Sequence, residues 1–188
     1  FAGFSDNNDA EAKWEDVNND GKPDLLVTNA EHPFTEAQDI KAHRLLINLG
    51  DYKFKPLLLP LLGSLASKFS FIDVNADGLK DIFICGEVSF RDYSKKNNSH
   101  VLINKGNGNF VKTLANEYAE IKRINYVKEI NVIDINKDGK DDLVIAAEWQ
   151  APYIFIADKK GLKKFNNSLL NELNGWWQSM AVVDINQD

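Results

Sequence analysis

Aspartate and asparagine recur along this chain at a spacing that suits a hard cation. Asp16, Asn18, Asp20 and Asp24, with Gly21 among them, form one set, and Asp73, Asn75, Asp77 and Asp81, with Gly78, form the next. Asp134, Asn136, Asp138 and Asp142, with Gly139, form a third, while Asp184, Asn186 and Asp188 begin a fourth. Side-chain oxygens at positions 1, 3, 5 and 9, with glycine at 6, are what calcium asks of a tight loop. The glycine takes the backbone conformation that folds the chain around the ion, and the position-7 carbonyl (Lys22, Leu79 or Lys140) supplies one more oxygen. One such set would mean little. Three in equivalent surroundings predict about three Ca2+ ions, one per complete loop.

The flanking residues decide which architecture carries these loops. A helix–loop–helix calcium site needs a bidentate glutamate at position 12 and a helix on either side. Position 12 is Val27, Ile84 and Ile145 here, and residues 24–28, 81–85 and 142–146 are short apolar, β-branched runs. Residues 69–72, 130–133 and 180–183, ahead of the loops, are also strand-like. Each loop therefore joins two strands. Trp14, just ahead of the first loop, is expected in the core.

A second strand pair follows each loop after a variable stretch. Residues 43–54, 100–110 and 153–165 each hold an apolar strand, a turn with glycine and a returning aromatic, which describes a hairpin. First aspartates are spaced by 57, 61 and 50 residues. Four antiparallel strands at such a period predict an all-β chain of β-propeller blades. There are about three complete blades and the start of a fourth, in one partial domain over 1–188. The repeats fall near 11–60, 67–115, 128–167 and 179–188.

The pattern Asp-x-Asn-x-Asp-Gly-x-x-Asp followed by an apolar strand resembles the FG-GAP/VCBS repeat of integrin-α-type propellers. Ala147-Glu148-Trp149 and Asn174-Gly175-Trp176-Trp177 resemble, more narrowly, VCBS-repeat proteins of Bacteroidetes. The resemblance implies a seven-bladed propeller with calcium between the first and second strands of each blade. It also implies adhesion or ligand binding in most members, and a polysaccharide-lyase scaffold in some. Three complete repeats cannot close such a ring, so the chain reads as a fragment.

The formal net charge of −6 speaks against a nucleic-acid partner, and three calcium ions would bring it near zero. Cys85, the one cysteine, excludes an internal disulfide framework. No apolar run reaches the length that spans a bilayer. Loops without the position-12 glutamate are expected to bind calcium weakly, on the order of 0.1–1 mM, as extracellular modules do. The expected location is therefore extracellular, cell-surface or periplasmic.

Strand order places the acidic loops at one end of each blade and the longer loops at the other. Glu31, Glu87 and Glu148 recur at the start of the long loops, and Trp149, Trp176 and Trp177 join them. These residues are candidates to contact a ligand, with tryptophans stacking on sugar rings. Equally, the glutamates can hydrogen-bond neighbouring backbone and the tryptophans can wedge between blades. His32, His43 and His100 lack metal-ligand spacing, and no nucleophile elbow, phosphate loop or Cys-x-x-Cys motif is present; no catalytic residue is assigned. The expected function is a calcium-binding extracellular module for adhesion or for binding a protein or glycan. The alternatives are part of a carbohydrate-active enzyme, such as a propeller-fold lyase, or a non-catalytic scaffold. Unpaired strand edges also allow self-association.

Overall fold

A computed structural model describes residues 9–29, 43–60, 62, 66, 68–86 and 98–186. Their strands form three four-stranded antiparallel sheets. The first orders β1 (Asp9–Glu15), β2 (Asp24–Asn29), β3 (Arg44–Gly50) and β4 (Lys53–Leu58), and the second β5 (Lys68–Ile72), β6 (Asp81–Cys85), β7 (His100–Asn104) and β8 (Phe110–Lys112). Between the second and third sheets lies the short helix α1 (Ala119–Lys122). The third sheet contains β9 (Val127–Ile133), β10 (Asp142–Gln150), β11 (Tyr153–Asp158) and β12 (Gly161–Lys164). After a second short helix, α2 (Ser168–Asn171), the two-residue β13 (Gly175–Trp176) returns to pair with the far end of β10. Every neighbouring pair is antiparallel, as expected of blades.

Period-2 alternation explains how these sheets stack, because successive side chains point to opposite faces. In the middle sheet Phe69, Ile82, Ile84 and Leu102 join Val17, Leu26 and Leu45 in a core shared with the first sheet. Phe83, Val101 and Ile103 join Ile130, Leu143, Ile145 and Phe155 in a core shared with the third. The middle sheet is thus apolar on both faces, and β6 is buried along its whole length. Cys85 lies in that strand, where burial pushes its thiol well above the usual range and leaves it inert.

Polar contacts fix the stacking. Asn104 Nδ2 donates to the Val17 carbonyl at 2.8 Å, and Leu162 N donates to the Val74 carbonyl at 3.2 Å. Gly161 makes the second approach possible: its φ is +105°, and a Cβ there would stand 2.2 Å from the Val74 oxygen. Lys80 of the second sheet pairs with Asp141 of the third. The position-2 residues covered by these contacts, Val17 and Val74, are each 1% exposed, whereas Ile135 of the third loop is 40% exposed. Ile135, Ile154, Ile156 and Phe165 wall an open hollow of about 650 Å³ on the far side of the third sheet.

Two expectations need correction. Trp14 is 55% exposed, with its ring against Phe54 at 6.0 Å, because its face of the first sheet carries no further sheet among the described residues. Residues 180–183 form no strand. The first strands β1, β5 and β9 each pair with the strand beyond their own acidic loop, and residues 180–183 have no such ladder among the described residues.

Candidate functional site

Each acidic loop is drawn closed by its own carboxylates. Asp20 N donates to Asp16 Oδ1 at 3.1 Å and to Asn18 Oδ1 at 3.0 Å, Gly21 N to Asp16 Oδ2 at 2.8 Å, and Lys22 N to Asp20 Oδ1 at 2.9 Å. The second loop repeats this network with Asp73, Asn75 and Asp77 accepting at 3.2, 2.8, 3.0 and 2.9 Å. The third repeats it with Asp134, Asn136 and Asp138, all between 2.7 and 3.0 Å. The tight path needs positive φ at position 4, which Asn19, Ala76 and Lys137 adopt at 58–61°, and again at the position-6 glycine.

Position 9 does something else. Asp24, Asp81 and Asp142 are 0% exposed, and each carboxylate bridges its loop to the blade's third strand. One oxygen accepts from the position-2 amide (Val17, Val74 or Ile135) at 3.0–3.2 Å. The other accepts from Asn48, Asn104 or Ala157 at 2.7–2.8 Å. Burial raises the Asp24 carboxyl above the usual range and lifts Asp81 to about 6, opposed in each case by those two amide bonds. At the exposed loop tip the opposite holds: the Lys22 amide lowers the Asp20 carboxyl.

This geometry bears on the metal expectation. Among the described residues no three His, Cys, Asp or Glu side chains gather as a cation cluster. The reason is visible in each loop: position 3 is an amide and position 9 is turned inward onto backbone. What remains is two carboxylates, one amide oxygen and the position-7 carbonyl, all hard donors. A carboxylate has about four acceptor sites, so the loop's own hydrogen bonds leave capacity for an ion. The lysine ammoniums of Lys22 and Lys140 stand 3.4 and 3.5 Å from the carboxylates of Asp20 and Asp138. These oxygens are of the type a hard cation takes, and the position-9 carboxylates, buried and already accepting from two amides, are the least accessible of the expected set. In the fourth set, Asp184 pairs with Lys137 at 3.6 Å; Asn186 is described and Asp188 lies outside the described residues.

At the other end of the blades, Glu31 and Glu87 also lie outside the described residues, so Glu148 alone represents the repeated glutamate. Glu148 is 3% exposed. Its Oε1 accepts from Trp176 Nε1 at 2.7 Å and Gln178 Nε2 at 2.9 Å, and pairs with Lys128 at 3.1 Å. Its register with Trp176 is followed by a bulge, and Trp149 there takes φ +62°. A bulge of this kind re-aims a side chain, and Trp149 is turned outward to stack on Trp176 with centroids 5.0 Å apart. Both indoles are more than half exposed. Trp177 instead donates its Nε1 to the Gln150 carbonyl at 3.1 Å, which ties the returning segment to β10.

The family model of the FG-GAP-like repeat matches residues 16–84, 73–145 and 134–188. The chain belongs to the FG-GAP-like repeat family. Each matched span opens on the first aspartate of an acidic loop, so the family unit starts where the closed carboxylate network starts. No curated protein matches the chain. No helix among the described residues is long and apolar enough to cross a membrane.

Two features of this FG-GAP-like repeat chain escaped reading from sequence. The clamp role of position 9 had a signal, since an aspartate opening a strand apolar on both faces must be buried and paired. The lining of a hollow beside Trp149, formed by Gln150, Tyr153, Lys164, Asn171 and Asn174, had none. These residues come from β10, β11, β12 and the α2 segment, with no shared spacing.

Proposed function

We propose that this FG-GAP-like repeat protein is a calcium-binding module acting outside the cytoplasm. Its three complete loops hold about one ion each, and the opposite end of its blades binds a protein or glycan, as in adhesion. The observation that carries the calcium reading is the recurrence of one network of carboxylate–amide bonds in all three complete loops. Hard oxygen donors in that number, without a position-12 glutamate, suit an ion held at on the order of 0.1–1 mM. Such sites fill outside the cell and stay empty in cytosol. The Ala-Glu-Trp and Gly-Trp-Trp segments favour the VCBS-like branch of the family. They are also where the exposed indole pair stands.

The enzyme alternative draws no support from Glu148, whose carboxylate is buried under an indole, an amide and an ammonium. Equilibrium dialysis against calcium is the test. About three ions per chain, lost one at a time in Asp20→Ala, Asp77→Ala and Asp138→Ala, is the expected result. No uptake at 10 mM calcium would end the reading.

A further inference from the structure

We infer that the hollow beside Trp149 is a subsite for one anionic sugar residue of a glycan, a sugar carrying a carboxylate. This deepens the ligand-binding half of the proposed function and rests on it. The hollow, about 230 Å³, lies at the end of β10 remote from the acidic loop.

Three kinds of group meet there. The first is a fixed aromatic wall. Trp149 is held outward by its left-handed backbone, backed on one side by Trp176, and Trp176 is locked in turn by its bond to buried Glu148. A rigid indole costs little entropy on binding, and its apolar face suits the C–H face of a pyranose. Tyr153 adds a second ring, oriented by its hydroxyl donating to Gln150 Oε1 at 2.8 Å.

The second kind is polar capacity left unspent. The side-chain amides of Asn171 and Asn174 are exposed and bond to no described residue, so each offers a donor and an acceptor to hydroxyl groups. The third is charge. The Lys164 ammonium lies over the Tyr153 ring at 4.9 Å and forms no ion pair with a described residue. Within this acidic chain that ammonium is a local positive site beside an aromatic wall, and it suits an acidic group from the ligand. A flat apolar face, ring hydroxyls and one negative charge together describe a sugar acid. A neutral sugar leaves Lys164 unused, and a purely apolar group leaves the amides unused.

The test compares tetragalacturonate with its methyl ester, which keeps the rings and removes the charge, at one fixed calcium concentration. Binding is read by calorimetry and by tryptophan emission. The parent is expected to bind the acid more tightly than the ester. Trp149→Ala should weaken the acid about tenfold, the loss of one stacking contact. Trp149→Phe should recover part of it. Lys164→Gln should weaken the acid roughly two- to fivefold, the range of an exposed ion pair, and leave the ester unchanged. Equal binding of acid and ester, or full binding by Trp149→Ala, overturns the inference, as does no binding at all. Calcium uptake of the same samples is measured alongside. A failed sugar site with intact calcium binding is then distinguished from failure of the calcium reading.

Discussion

Asp81→Ala should be among the most damaging single substitutions in the chain, even without calcium. Its carboxylate is 0% exposed and accepts from the buried amides of Val74, at 3.0 Å, and Asn104, at 2.8 Å. Alanine leaves both donors unsatisfied. A stranded buried donor costs about 1–3 kcal/mol, so the pair amounts to about 2–6 kcal/mol. Asparagine at the same position keeps one acceptor but turns an N–H2 toward the other amide, so Asp81→Asn should lose about 1–3 kcal/mol. Native domains are stable by only about 5–15 kcal/mol, so the alanine variant approaches the unfolding threshold. The assay is urea unfolding followed by tryptophan fluorescence, in chelator, so that the metal plays no part. Asp24 and Asp142 make the same bridge and should behave alike. Stability of both Asp81 variants within about 0.5 kcal/mol of the parent, the range of neutral surface changes, would refute the clamp.

The loop-tip aspartates should show the reverse dependence. Asp20→Ala, Asp77→Ala and Asp138→Ala should change little in chelator, because each removes an exposed bond. In 10 mM calcium each should forfeit the stabilisation of one site, about 1.4–2.7 kcal/mol for dissociation constants of roughly 0.1–1 mM. Gly161→Ala should disrupt contact between the second and third sheets, since its Cβ would stand 2.2 Å from the Val74 oxygen at a φ of +105°. A melting temperature unchanged from the parent would contradict this. His43→Gln should flatten the acid side of the stability profile. Burial lowers the His43 imidazole to about 4, below its ordinary 6.5. The unfolded chain therefore takes the proton first, and stability is complete above pH 6.5 and lost as pH falls toward 4. Parallel parent and variant profiles across that window, measured in chelator, would refute the assignment.

Strand content and blade order were legible because two strong signals coincide. Apolar runs such as Asp81–Cys85 alternate between two cores, and each is preceded by a loop whose Asp, Asn and Gly types follow from its own bonding. Trp14 misled because its type suggests burial, while its exposure depends on what its sheet face meets. Residues 180–183 misled because a strand exists only with its ladder partner, which propensity does not supply. The acidic loops were recognised as a pattern, but the division of labour within them was not. Asp16 and Asp24 are the same residue type eight positions apart, one closing the loop and the other buried as a bridge. At the opposite end, Glu148 and the tryptophans were found by type, whereas the role of Glu148 in holding Trp176 needed coordinates.

Calcium held in the three acidic loops should stabilise their blades. A thermal melt in 10 mM calcium and in chelator tests this most directly. Three sites of about 1.4–2.7 kcal/mol together give about 4–8 kcal/mol. For a chain of this size that predicts a rise on the order of 10–30 °C. Coincident melts in calcium and chelator would mean that the carboxylate–amide bonds alone close the loops, and the calcium account would fall.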